Sequence, residues 1–176
     1  MTNWPVLLVA TAILIAAPVS VRADAIADSN LCYAQFSTGD NKAAIAYCSS
    51  AIASGDLDDP DLIAALINRG VAYKNVGDLA AAVSDYTRAL GMAPRDALLY
   101  QNRANALREM GNLDAALADV EQSIGIDPER AGAWYVRGAI NEARGDRDAA
   151  RDDYRTALNL DPENDAYKDK FLGLNR

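Results

Sequence analysis

Apolar and small residues return along this chain on two periods at once, a short helical one and a long one of 34 residues. Leu66, Gly70 and Tyr73 stand at i, i+4 and i+7, which is one face of a helix. A second run, Ala82, Val83, Tyr86, Ala89 and Leu90, has the same helical spacing. Between the two runs, Gly77 supplies the left-handed residue that ends a helix, and Asp78 can cap the next one. Pro94 stops the second helix. The whole device then comes back. Leu66, Tyr100 and Trp134 share a column, as do Gly70, Ala104 and Gly138; Gly77, Gly111 and Gly145; and Ala82, Ala116 and Ala150. Tyr86, Val120 and Tyr154 form another, and Pro94, Pro128 and Pro162 close each unit. Gly111-Asn112 and Gly145-Asp146 repeat the turn. Self-similarity of this size predicts a solenoid of helix pairs, in which each unit buries its apolar face only against a neighbour.

The order of large, small, aromatic, small and proline positions resembles the tetratricopeptide repeat over 63–96, 97–130 and 131–164. The resemblance implies an all-α, right-handed superhelical solenoid, with a concave groove lined by the first helix of each unit. It also implies a binding scaffold rather than an enzyme. Residues 24–62 read as a divergent first repeat: Gly39-Asp40 matches the turn, Ala44 the small column, and Ala51-Ile52 the pair Ala89-Leu90. That unit is four residues longer, with the excess in Gly55 to Asp61. Downstream, Tyr167, Phe171 and Leu174 at i, i+4 and i+7 predict a capping helix within 165–176. Asn141 falls in the column of Tyr73 and Leu107, so looser or partly wet packing is expected there.

Composition narrows the chemistry. There is no histidine, which removes histidine-dependent triads, imidazole metal ligands and the usual neutral-pH base. A formal charge of −8 makes nucleic acid a poor partner. No nucleophile–base pair, phosphate loop or metal set is present, so neither cofactor nor catalytic residue is expected. The aspartates 56, 58, 59 and 61 lack the glycine and terminal glutamate of a calcium loop and read as a solvated, helix-capping segment.

The N-terminus has no charged side chain from Met1 to Val21 and carries an apolar run between Pro5 and Pro18. Small residues around Ala23 and Ala25 suit a signal peptidase, so residues 1–23 read as a signal peptide and the protein as periplasmic or secreted, of exported bacterial type. The n-region carries no lysine or arginine, and the alternative is an uncleaved membrane anchor, because the uncharged stretch reaches about 20 residues.

Aligning the first unit on Gly39 puts Cys32 in the column of Gly70 and Cys48 in that of Tyr86. The resemblance implies that these columns meet between paired helices, and hence a structural disulfide; free thiols and a redox pair are the other readings. Repeated Arg69, Arg103 and Arg137, with Asp85, Asp119 and Asp153, read as a structural ion pair made once per unit and worth little singly. The resemblance assigns partner binding to the groove residues Ile67, Asn68, Val71 and Lys74, then Gln101, Asn102, Asn105 and Arg108, then Tyr135. Asn30, Asn68 and Asn102 are equivalent and resemble the asparagine ladder by which some members of the family hold a peptide backbone. Ile67 and Gln101 stand where a grip on a C-terminal carboxylate would want a base, so an uncharged or mildly amphipathic segment of another protein is the expected partner. Self-assembly is a further reading.

Overall fold

A computed structural model describes residues 19–174, with side chains from residue 24 onward. Its elements are Val19–Thr38 (α1), Asn41–Ser54 (α2), Asp59–Asn75 (α3), Leu79–Met92 (α4), Ala97–Glu109 (α5), Leu113–Ile126 (α6), Ala131–Arg144 (α7), Arg147–Leu160 (α8) and Asp165–Leu174 (α9). Consecutive helices pack as the pairs α1–α2, α3–α4, α5–α6 and α7–α8, with α9 against α8. The first helices also touch across units, α1 with α3, α3 with α5 and α5 with α7, which places them side by side along one face. The solenoid read from the 34-residue period is the fold.

The turns follow from their residues. Gly39, Gly77, Gly111 and Gly145 all sit at φ between 81° and 87°, a left-handed conformation that costs a Cβ-bearing residue but not glycine. Asp40, Asp78 and Asp146 then accept from the backbone N–H of Ala43, Ala81 and Ala149, at 3.0–3.1 Å, and so start the second helix of their units. Asn112 stands in the same place but its side chain makes no capping bond. Asp58 caps α3 by accepting from the N–H of Asp61, which gives the acidic segment the capping role expected for it.

One boundary differs from the repeat arithmetic. The excess of the first unit lengthens α3, which begins at Asp59, four residues ahead of the 63–96 unit, with Pro60 in its first turn. Proline is tolerated there because its missing N–H would have had no partner. Pro60 therefore opens a helix, whereas Pro94, Pro128 and Pro162 lie in the turns between helices. The signal-peptide reading falls mostly outside the described residues; α1 extends upstream of Ala23 to Val19. No helix among the described residues is long and apolar enough to cross a membrane.

The core is a row of interlocks between paired helices. A Cβ added at Gly70 would lie 2.6 Å from the Tyr86 ring, and one at Gly138 2.8 Å from Tyr154, so only glycine lets those rings in. The pair Ala104 and Val120, both fully buried, fills the same space with a larger partner on one side and a smaller one on the other. In the first unit, Cys32 and Cys48 fill it covalently: they form a disulfide with Cα atoms 4.8 Å apart, also fully buried.

Candidate binding groove

Ile67 and Val71 on α3 pack onto the core around Leu66 and Tyr86, so they form the floor of the groove rather than its rim. Asn68 and Asn102, one unit apart, are half-buried, and their amides make no hydrogen bond within the described residues. Each can donate and accept at once. Asn30, their equivalent on α1, is exposed, and beside it Tyr33 is 64% exposed. Gln101 lies over Gly132 of α7, where an added Cβ would come within 2.7 Å of its Oε1.

The cations are not free. Asn105 Oδ1 accepts from Arg108 Nε and Nη2 at 3.2 and 2.9 Å, and Arg108 Nη2 also reaches Glu109 at 3.3 Å. Lys74 Nζ lies 3.9 Å from the same Glu109 carboxylate. At the far end, Tyr135 is half-buried between the rings of Tyr154 and Tyr167, at centroid distances of 5.5 and 5.0 Å. Helix α9 thus occupies that end of the groove. It also brings Lys170, whose Nζ donates to Glu142 at 2.7 Å while Tyr154 Oη donates to the same carboxylate at 2.7 Å. Those two donors hold Glu142 below the usual carboxylate range, Lys170 contributing most. Tyr154 is pushed up, by burial first and then by its bond to Glu142.

Lys170 was missed by sequence reasoning, which named Lys74 and Arg108 as cations of the groove. Its signal was present: Lys170 lies 68 residues, two periods, beyond Asn102 and so shares the ladder column.

Behind the groove, the repeated ion pair is formed in each of the three later units, with its aspartate buried and its arginine partly so. Arg69 donates through Nε and Nη2 to Asp85 at 2.8 and 2.7 Å, and through Nη1 to Ser49 of the preceding unit at 3.0 Å. Arg103 does the same with Asp119 at 2.7 and 2.8 Å and with Thr87 at 3.1 Å. Arg137 pairs with Asp153 at 2.7 Å and lies 4.6 Å above the Trp134 ring. Asp85, Asp119 and Asp153 are 5%, 7% and 4% exposed, so these are not the solvent-exposed pairs that are worth little singly. Hydrogen bonding to its aspartate raises the pKa of Arg69 and of Arg103 against the opposing effect of burial. The pair also explains Asn141: its Nδ2 donates to Asp153 at 2.9 Å, so the polar residue belongs to the ion-pair network rather than to a loosened core.

One hydroxyl is left over. Tyr86 Oη is buried without a hydrogen-bond partner among the described residues, and burial, with Asp85 and Glu109 nearby, pushes its pKa up. Away from the groove, an open concavity of about 590 Å³ lies between two inter-unit turns, lined by Pro94, Arg95, Ile126 and Arg130. It contains none of the expected binding residues. Among the described residues no group of three or more histidine, cysteine, aspartate or glutamate side chains could hold a metal ion.

Comparison with known proteins agrees with this geometry. Tetratricopeptide-repeat family models match residues 63–96 and 101–165. None of the curated proteins matches the chain. Among solved structures, MamA from Desulfovibrio magneticus RS-1 is 21% identical with a TM-score of 0.70, over 86% of this chain and 84% of that one. The Arabidopsis OM64 TPR domain is 27% identical with a TM-score of 0.62, over 66% of this chain and 97% of that one. The second TPR domain of human RPAP3, in complex with the HSP70 peptide SGPTIEEVD, is 25% identical with a TM-score of 0.61, over 68% of this chain and 99% of that one.

Proposed function

The chain belongs to the tetratricopeptide-repeat family, and from that premise we propose that it is a non-enzymatic scaffold that docks a segment of another protein in the groove of α1, α3, α5 and α7. The observation that carries the reading is the pair of free amides, Asn68 and Asn102, held one unit apart on the same face with no hydrogen-bond partner among the described residues. A buried or half-buried amide without a partner costs free energy that a docked backbone would recover. The peptide bound by the RPAP3 domain supports this mode of use. Lys74, Arg108 and Asn105, at the groove's centre, and Gln101, Ile67 and Val71 beneath it, would complete the contact surface.

The site of action in this reading is the periplasm. What supports it is the uncharged apolar N-terminus together with a disulfide, a bond that persists in oxidising compartments. A membrane-anchored assembly factor of the cell envelope is the second reading, favoured by the absence of charge from Met1 to Val21. Intact mass after expression in an exporting host separates the two, since cleavage at Ala23 or Ala25 removes the apolar run.

The docking reading is tested with a photo-crosslinking residue in place of Asn102. One dominant foreign protein in the adduct is the expected result. Adducts only with a second copy of this chain would replace docking by self-assembly.

A further inference from the structure

We propose that the concavity between the α4–α5 and α6–α7 turns is a second binding site, which takes a carboxylate carried on an apolar body. It lies apart from the groove and does not rest on the docking reading. Its volume of about 590 Å³ falls within the range of small-molecule clefts, about 300–1,000 Å³. Pro94 and Ala97 from one turn and Ile126 from the other give it an apolar wall, and Arg95 and Arg130 stand in the same lining with Asp96 and Asp127. The two arginines meet once in the solenoid. One period on, their columns carry Glu129 and Asn164, so the next pair of turns holds no such cations.

Both acids of the cavity are already committed. Asp96 Oδ1 accepts from the N–H of Leu99 at 3.1 Å and caps α5. Asp127 accepts from the N–H of Glu129 at 3.2 Å, and its other oxygen lies 3.2 Å from Arg130 Nη2. The guanidiniums are not committed. Arg95 is exposed and makes no hydrogen bond or ion pair among the described residues. Arg130 has only the Asp127 contact, and its Nε is buried without an acceptor among those residues. A buried N–H left unpaired costs free energy, so the bonds of Arg130 do not fix its aim, and turning to an entering acceptor recovers the loss. Its own helix does not explain it either. In the same column Asp96 caps α5, whereas Arg130 leaves α7 without a side-chain cap. The arginine forgoes that bond and supplies a guanidinium to the cavity. Its planar fork matches a carboxylate, and a second fork stands across from it in the other turn. Ile126, 36% exposed, adds apolar area that a bare anion would leave wet and an apolar group would cover.

The test is an NMR titration of the full folded chain with phenylacetate, phenylacetamide and inorganic phosphate. Phenylacetate should bind about tenfold more tightly than its amide, the difference one charge-assisted contact makes, with shifts centred on Arg95, Ile126 and Arg130 and none at Asn68 or Asn102. Arg95→Gln and Arg130→Gln should each erase that preference. Because Arg95 is exposed, its variant should melt with the parent and keeps the test open if the other folds poorly. Ile126→Ser should weaken acid and amide alike. A free organic acid and the C-terminus of a protein both offer this chemistry. An acetylated glycine–serine–leucine peptide with a free terminal carboxylate separates them, since the tighter of that peptide and phenylacetate identifies the source. Equal binding of acid and amide, phosphate binding as tightly as the acid, or a preference that survives both arginine variants would each discard the site. The docking reading would stand in all three cases, because it is judged on the groove signals and the Asn102 crosslink.

Discussion

At the scale of single residues, the repeat is held by compensating pairs. Glycine faces tyrosine, alanine faces valine and cysteine faces cysteine, each pair filling one inter-helix gap of similar volume. Next to each of the three later interlocks lies an arginine whose aspartate is almost fully buried. A buried pair is costly to break from one side because the surviving charge keeps its desolvation penalty. Asp85→Asn should therefore destabilise the protein by about 3 kcal/mol in urea unfolding, far more than a surface pair would. Replacing both partners, Arg69→Met with Asp85→Leu, should recover most of the loss. The two tyrosines give a second contrast. Tyr154→Phe removes a bonded hydroxyl and should cost about 1 kcal/mol. Tyr86→Phe removes an unbonded one and should leave the melting temperature level or higher.

At the scale of elements, the helices between α2 and α8 are short, 13 to 17 residues, and such lengths are marginal alone in water. Each depends on its neighbours, and α9 is the extreme case. It has 10 residues and no fully buried side chain. What holds it includes the Tyr167–Tyr135 ring contact and the Lys170–Glu142 pair. Because Glu142 is depressed below its ordinary value of 4.5 in the folded chain, its contribution is present in full above that pH. It is lost as the pH falls through the lower folded value, where protonation removes the acceptor shared by Lys170 and Tyr154. Amide signals of α9 should report its release in an acid titration before the central helices respond. In Glu142→Gln that step should disappear, with α9 loosened at all pH values.

For the molecule as a whole, the main contacts among the described residues run between neighbouring units, so stability is close to a sum over units and their interfaces. Bonds such as Arg69–Ser49, Arg103–Thr87 and Arg144–Asp114 join one unit to the next. The first unit has a described neighbour on one side only, and its arginine–aspartate pair is replaced by Leu31 and Tyr47 in the aligned columns. The disulfide compensates where interface is lacking. Reduction, or Cys32→Ser with Cys48→Ser, removes a closed loop worth roughly 3 kcal/mol in the chain-entropy account. Hydrogen exchange should then quicken in α1 and α2 while α5 to α8 keep their protection. A uniform loss across all units would mean that the solenoid unfolds as one block.

The 34-residue columns alone determined the helix pairs, their glycine turns, the small-against-large interlocks and, through the family they resemble, the pairing of Cys32 with Cys48. All of these are local or lie within one unit, where the spacing along the chain sets the spacing in space. Tertiary structure decided the rest. Burial of Asp85, Asp119 and Asp153, the use of Asn141 in that network, the stacking of Tyr135 under α9 and the arrival of Lys170 beside Glu142 all depend on how close separate helices come. So does the unpartnered hydroxyl of Tyr86. A column records which residue types recur, but whether a polar group finds its acceptor is settled by distances of tenths of an ångström between helices, and those exist only once the units have stacked.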